Sequence, residues 1–428
     1  MKYYLAVDIG ASSGRHIVGW KENGEQKTEE VFRFPNGVKE TDGHLTWDID
    51  GLVEYVKEGI LEAQKRFGEI FCMSIDTWGV DYVLMKGEDP VYPCYGYRDS
   101  RTEEVIPEVH RLVPFETLYE HTGIQYQPFN TVYQLYCDKL AGRLEGVTDF
   151  LMVPEYLMYR LTGVKKQEYT NATTGGLVNA ASREYDREII RRLGLPEHLF
   201  GELSMPGALV GTYRTDERSP EIKVVLCPTH DTASAVEGLP MPEDAMFLSS
   251  GTWSLLGMKL KEPVTSEAGR KANFTNEGGV GYIRYLKNIM GLWIIQNLQK
   301  MLGISFPEMV DLARSSSYDK IFDVNLPCFL EPFHIREDIL RELKEEQLSD
   351  ADVINSVYRS LAFSYGQAVR ELELVTGKRP KSLYIGGGGA KNEYLNQLTA
   401  EFTGKQVVAL PIEATALGNL KIQMEYWK

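Results

Sequence analysis

Apolar positions recur along this chain with two periods, and the order of those periods repeats. Tyr3 to Ile9 is a β-rich run that ends in Gly10-Ala11-Ser12-Ser13-Gly14-Arg15, and a second apolar run, His16 to Trp20, follows. After Asp48 and Asp50, residues Leu52, Val56, Ile60, Ala63 and Phe67 fall at helical spacing. Ile70 to Ile75 then reads as a strand running into Asp76-Thr77-Trp78-Gly79. The succession returns in the second half. An apolar strand from Ala245 runs into Ser249-Ser250-Gly251-Thr252, and another apolar run ends at Met258. Val353, Val357, Leu361, Ala368, Leu372 and Val375 share one helical face, and the strand Ser382 to Ile385 ends in Gly386-Gly387-Gly388-Gly389. Each half is therefore strand, small-residue turn, strand, long helix, strand, glycine-bearing loop, and that is an internal duplication.

The duplication predicts an α/β protein of two domains, 1–238 and 239–428, divided just before Pro240-Met241-Pro242, with the small-residue turns facing a common cleft. A length of 428 residues suits two cores of about 200 residues each. Two insertions, 82–223 and 259–348, separate matched elements. They carry Gln127-Pro128-Phe129-Asn130, Tyr169-Thr170-Asn171-Ala172-Thr173-Thr174-Gly175 and Phe274-Thr275-Asn276-Glu277-Gly278-Gly279, mixtures of short polar and aromatic groups suited to a sugar. Arg98 and Arg101 read as surface charges, solvated or paired.

Charge and cysteine content narrow the partners. A net charge of −15 argues against a nucleic acid or an anionic membrane. Asp8 interrupts the N-terminus too early for a signal-peptide core, and no apolar run approaches a membrane span. The five cysteines form no Cys-x-x-Cys pair, so reduced thiols and a cytoplasmic setting are expected.

Candidate chemistry follows from the repeated turns. Converging N–H groups, serine hydroxyls and a glycine that allows close approach make each turn hospitable to phosphate, although either alone could be a plain hairpin. Asp8, at the end of the first strand, is expected to hold Mg²⁺ through water. Gly386 to Gly389 reads as a loop under an adenosine, with a ligand-free loop as the alternative. Between the halves, Val224 to Leu226 reads as a buried strand stopped by Pro228, and Asp231 falls near the start of a small-residue helix. Taken alone, Asp231 or Thr232 is a helix cap. Beside a cradled polyphosphate, Asp231 can instead accept a proton from a substrate hydroxyl during phosphoryl transfer. Neither a P-loop nor a protein-kinase catalytic loop occurs in the sequence. Asn288 is either a cap or a ligand-binding residue, and Trp293 reads as core in the helix expected after Asn288.

These residues resemble the FGGY family of carbohydrate kinases, on the actin/hexokinase-like (ribonuclease H-like) fold. The resemblance rests on Asp8 to Arg15, Ile75 to Asp81, Tyr97 to Arg101, Glu168 to Thr173, His230 to Ala235, Leu248 to Ser254, Thr275 to Gly279 and Leu286 to Trp293, in order along nearly the whole chain. It implies ATP-dependent, Mg²⁺-requiring phosphorylation of L-rhamnulose at its 1-hydroxyl, within L-rhamnose breakdown. By the same resemblance, Ala11, Ser12, Ser13, Gly14, Arg15, Thr252, Gln296 and Gly388 would contact ATP. Gly79, His230, Asp231, Thr232 and Asn288 would contact the sugar, with Asp231 as proton acceptor. The four-glycine run carries one glycine more than the resemblance leads one to expect. The chain also ends at Lys428, earlier than the resemblance leads one to expect, which would leave the second domain shortened. The alternatives are a kinase for another ketose, of the fuculose or xylulose type, a non-catalytic nucleotide- or sugar-binding module, and an ATPase acting on a protein partner. The sequence leaves monomer and homodimer both open.

Overall fold

The computed structural model describes residues 1–329, 334–410 and 413–427. It resolves into two compact units, each woven from separate stretches of chain. The first comprises Met1–Gly238, Leu260–Arg284 and Ala414–Lys428, and the second Leu239–Lys259 and Tyr285–Glu413.

The first unit is built on β1 (Tyr3–Ile9), β2 (Ser13–Glu22), β3 (Glu25–Pro35), helix α1 (Ile49–Phe67), β4 (Ile70–Thr77), β5 (Leu209–Tyr213), β6 (Ile222–Val225) and helix α2 (Asp231–Gly238). Its six strands lie in the order β5-β6-β4-β1-β2-β3. β1 pairs antiparallel with β2 and parallel with β4, which in turn pairs parallel with β6. The second half supplies β7 (Met246–Ser250), β8 (Trp253–Leu260), β9 (Thr275–Gly278), β10 (Ile283–Met290), helices α3 (Trp293–Leu302) and α4 (Asp350–Thr376), β11 (Ser382–Gly386), helix α5 (Glu393–Thr403), β12 (Gln406–Ala409) and helix α6 (Ala414–Tyr426). Its sheet runs β9-β10-β8-β7-β11-β12. With the outermost strands β5 and β9 set aside, both sheets read third, second, first, fourth, fifth. In each, the first strand is antiparallel to the second and parallel to the fourth. The expected duplication is thus visible in topology and register.

Strand alternation places the first core. Leu5, Val7 and Ile9 face one side of β1 and pack with Leu52, Val56 and Ile60 of α1, while Tyr4 and Ala6 face the other side and meet Ala416, Leu420 and Met424 of α6. His16 of β2 is buried under α1, its Nε2 3.1 Å from the Val56 carbonyl. A Cβ at Gly59 would fall 2.3 Å from that ring, so the helix can cross there only without a side chain. Burial lowers the His16 pKa from 6.5 to about 4, against the pull of its carbonyl contact. Because the folded pKa is the lower one, the neutral ring stabilises the fold above pH 6.5, and about 3 kcal/mol of this is lost as pH falls through that window. Thermal unfolding at pH 7.5 and 4.5 should therefore show a steeper acid loss in the parent than in His16→Leu.

Candidate active site

Parallel strands bring their carboxyl ends to one edge of the first sheet, and that is where the candidate chemistry of this unit collects. Asp8 of β1 stands in register with Asp76 of β4. Thr77 bridges to His230 in parallel fashion, and its N–H donates to the Thr229 carbonyl at 2.9 Å. β4 runs two residues further than its apolar pattern suggests, so Asp76 sits inside the sheet, fully buried. Burial, and then the charge of Asp8, push the Asp76 carboxyl well above the usual range. Its Oδ2 accepts from Asn419 Nδ2 at 2.6 Å, which ties α6 to the edge. The Asp8 carboxylate carries a different load: Arg15 Nε and Nη2 both donate to its Oδ2, at 2.9 and 2.8 Å.

Asp231 is the first residue of α2. The segment before it is fixed by buried groups. Glu168 accepts from Thr229 Oγ1 at 2.6 Å and from the Thr170 and Asn171 N–H groups, while Ser234 Oγ donates to the Pro228 carbonyl. Thr232 Oγ1 donates to Asp231 Oδ1 at 3.0 Å, and His230 Nε2 lies 3.4 Å from the same oxygen. No hydrogen bond reaches Asp231 Oδ2 among the described residues, and the side chain stays 31% exposed. One oxygen is thus anchored, and the other can accept a further donor.

Gly79 and its neighbours form an adjoining wall. A Cβ at Gly79 would press on Thr174 at 3.0 Å, and Val80 adopts φ 68°, a left-handed conformation costly for a β-branched residue. Thr174 Oγ1 accepts from the Val80 N–H, and Thr131 Oγ1 donates to its carbonyl, so the strained peptide is held from both sides. Asp81, pushed up to about 6 by burial, accepts from Trp47 Nε1, Trp78 Nε1, Gln134 Nε2 and the Tyr97 N–H.

The turn joining β1 and β2 is closed by the Gly10 N–H on the Ser13 carbonyl. Asn36 occupies the Gly10 and Ser12 carbonyls through its side chain and N–H, while the Ala11 and Ser12 N–H groups make no hydrogen bond among the described residues. In the second unit, the turn joining β7 and β8 is closed by the Gly251 N–H on the Trp253 carbonyl. There the Gly251 carbonyl is taken by the Leu292 N–H at the start of α3, which brings Gly291 so close that a Cβ would lie 2.5 Å from that oxygen. Each turn therefore has its carbonyls engaged from behind, an arrangement that leaves donors for an anion. Gly387 (φ 81°) and Gly389 press on Ser250, where Cβ atoms would lie 2.7 Å from its carbonyl and 1.9 Å from its Oγ. Gly388 between them is exposed and open.

Some expectations change. Asn288 lies within β10, not before a helix, so it is no cap; α3 begins five residues later, at Trp293, which is half-buried, and carries Gln296. Arg101 is not a surface charge: its side chain is only 7% exposed and paired with Asp138 at 2.8 Å. Sequence reasoning missed Arg284 altogether and assigned no role to Glu277, Glu168 or Asp76. A lone arginine in an apolar strand was the available signal for Arg284, because such a charge needs a buried partner.

A divalent cation has few protein ligands to draw on. No cluster of three or more His, Cys, Asp or Glu suited to a metal occurs among the described residues. Asp8 beside a donor-rich turn fits an ion held mainly by phosphate oxygens and water.

Residues 3–237 match the model of the FGGY family of carbohydrate kinases, N-terminal domain, and residues 246–426 the C-terminal domain of that family. A rhamnulokinase of Halalkalibacterium halodurans is 44% identical, covering 99% of this chain and 93% of its own. One of Bacillus subtilis is 39% identical, over 98% and 90%. In fold, the chain is similar to a ligand-bound xylulose kinase of Lactobacillus acidophilus (TM-score 0.81, 15% identity, 100% and 89% covered). It is also similar to a Plasmodium falciparum glycerol kinase with ADP (TM-score 0.80, 15% identity, 100% and 90% covered).

Proposed function

The chain belongs to the FGGY family of carbohydrate kinases, and we propose that it phosphorylates L-rhamnulose at the 1-hydroxyl with ATP, giving L-rhamnulose 1-phosphate and ADP in L-rhamnose catabolism. The substrate reading is carried by 44% identity to a rhamnulokinase along almost the entire chain, since the structural neighbours at 15% identity speak for fold alone. The chemistry is supported by Asp231, whose Oδ1 is anchored by Thr232 while Oδ2 makes no hydrogen bond among the described residues.

In this reading the domains are the duplicated halves, 1–238 and 239–428. Ala11, Ser12, Ser13, Gly14, Arg15, Thr252, Gln296 and Gly388 bind ATP, and Gly79, His230, Thr232 and Asn288 hold the sugar. As the sugar O1 bonds to the γ-phosphorus, Asp231 Oδ2 takes the O1 proton, the γ-phosphorus–oxygen bond to the leaving diphosphate breaks, and ADP departs. Bound Mg²⁺ would offset charge on the phosphates, with Asp8 holding it through water. No helix among the described residues is long and apolar enough to cross a membrane, and the five cysteines are unpaired, which suits a cytoplasmic enzyme.

ADP release with Mg²⁺-ATP across a panel of ketoses and glycerol tests the proposal. L-Rhamnulose should give the highest kcat/KM, by at least about tenfold over L-fuculose and D-xylulose, because a misplaced hydroxyl leaves buried polar groups unpaired. A different preferred ketose would overturn the substrate, and ATP binding without turnover on any sugar would overturn the kinase reading.

A further inference from the structure

We propose that Arg284 is a positioning residue for the phosphoryl acceptor site: it fixes His230 as the tautomer with the proton on Nε2, so that the ring steadies Asp231 Oδ1 and leaves Oδ2 as the base. This rests on the assignment of Asp231 as proton acceptor made above.

Arg284 is a fully buried guanidinium on β10. Its Nε donates to the Gly278 carbonyl at 2.8 Å, its Nη2 lies 3.1 Å from Glu277 Oε2, and the same Nη2 reaches His230 Nδ1 at 3.1 Å. Guanidinium nitrogens only donate, so a hydrogen bond from Nη2 requires a lone pair on Nδ1. In the neutral ring the proton then belongs to Nε2, which lies 3.4 Å from Asp231 Oδ1.

Glu277 Oε2 is the competing influence, 3.4 Å from Nδ1. A carboxylate there would favour a proton on Nδ1. The approach of that oxygen to Nδ1, however, lacks hydrogen-bond geometry, whereas the Arg284 contact to Nδ1 has it, and Oε2 is engaged instead by the Arg284 ion pair at 3.1 Å. Glu277 is therefore the counter-charge that lets Arg284 be buried. Burial alone would raise the Glu277 carboxyl, and the charge of Arg284 holds it below its ordinary range instead.

The decisive readout is the tautomer, by ¹⁵N correlation spectra of histidine-labelled protein. The His230 signal among the seven histidines is identified by its loss in His230→Gln. The parent above pH 7.5 should show Nε2 protonated and Nδ1 unprotonated, Glu277→Gln should keep that pattern, and Arg284→Lys should lose it. With L-rhamnulose, Arg284→Lys should lower kcat by about ten- to a hundredfold with KM for ATP unchanged. A parent protonated on Nδ1, or a Glu277→Gln variant that switches tautomer, would overturn the proposal. So would an Arg284→Lys variant with parental kcat. Should Arg284→Lys not fold, the parent and Glu277→Gln spectra still decide. A parent that turns over no sugar fails the kinase reading, while the tautomer is read without turnover.

Discussion

Asp231→Asn should lower kcat with L-rhamnulose by about 10²- to 10⁴-fold while leaving nucleotide affinity within about twofold. The amide keeps the shape of the carboxylate and an oxygen that can accept from Thr232 Oγ1, as Oδ1 does now at 3.0 Å. It cannot take up the proton of the sugar hydroxyl. The residue opens α2 and is partly exposed, so folding makes little use of its charge. Three of the candidate nucleotide contacts, Thr252, Gln296 and Gly388, belong to the other compact unit. Steady-state ADP release beside ATP titration calorimetry separates the two effects. A variant retaining more than about a tenth of parental kcat would reduce Asp231 to a helix-terminal residue, and the catalysis would rest on positioning and charge stabilisation alone.

The sequence reveals this site unevenly, for physical reasons. Asp8, Asp231 and the two small-residue turns are legible because they stand where apolar periods break, and the breaks recur in the same order in both halves. The long helices are legible from spacing: Leu52, Val56 and Ile60 recur every four residues and are buried together. What stays hidden depends on partners far away in the chain. Thr229 is held by Glu168, and His230 by Arg284, 54 residues on. Asn288 misleads because a polar residue ahead of an apolar helical run looks like a cap, yet here two further strand residues and a turn intervene before α3. Arg101 misleads because a charged side chain counts as exposed until a buried partner such as Asp138 is known.

The kinship of α2 and α6 was also readable and easily passed over. Each follows the last strand of its sheet in chain order, and each opens on small residues, Thr232-Ala233-Ser234 in one and Ala414-Thr415-Ala416 in the other. Both contain a glycine where the helices meet. α6 packs in the first unit although it follows the last strand of the second sheet, and its Asn419 and Gln423 reach Asp76 and the Leu5 carbonyl.

That contact carries the second large effect: Gly418→Ala should destabilise the protein by on the order of 2–4 kcal/mol and lower kcat with it. In an open helix the same change stabilises by about 1 kcal/mol, so the sign alone is diagnostic. A Cβ at Gly418 would fall 1.8 Å from the Ser234 carbonyl oxygen, and one at Gly238 would fall 1.9 Å from the Ala414 carbonyl oxygen. Both obstacles are backbone, which cannot rotate aside as a side chain would. Relief requires α2 and α6 to move apart, which loosens Leu420 and Met424 against Tyr4 and Ala6 and disturbs the Asn419 contact to Asp76. Since Asp231 opens α2, the same displacement moves the proposed base, and a shift of about 1 Å there can cost 10²-fold in rate. Gly238→Ala should behave alike. The double variant should cost less than the two singles added, because one separation of the helices relieves both clashes. Thermal unfolding of the four proteins measures the cycle, and an unfolding midpoint raised by Gly418→Ala would show that the helices do not meet at these glycines.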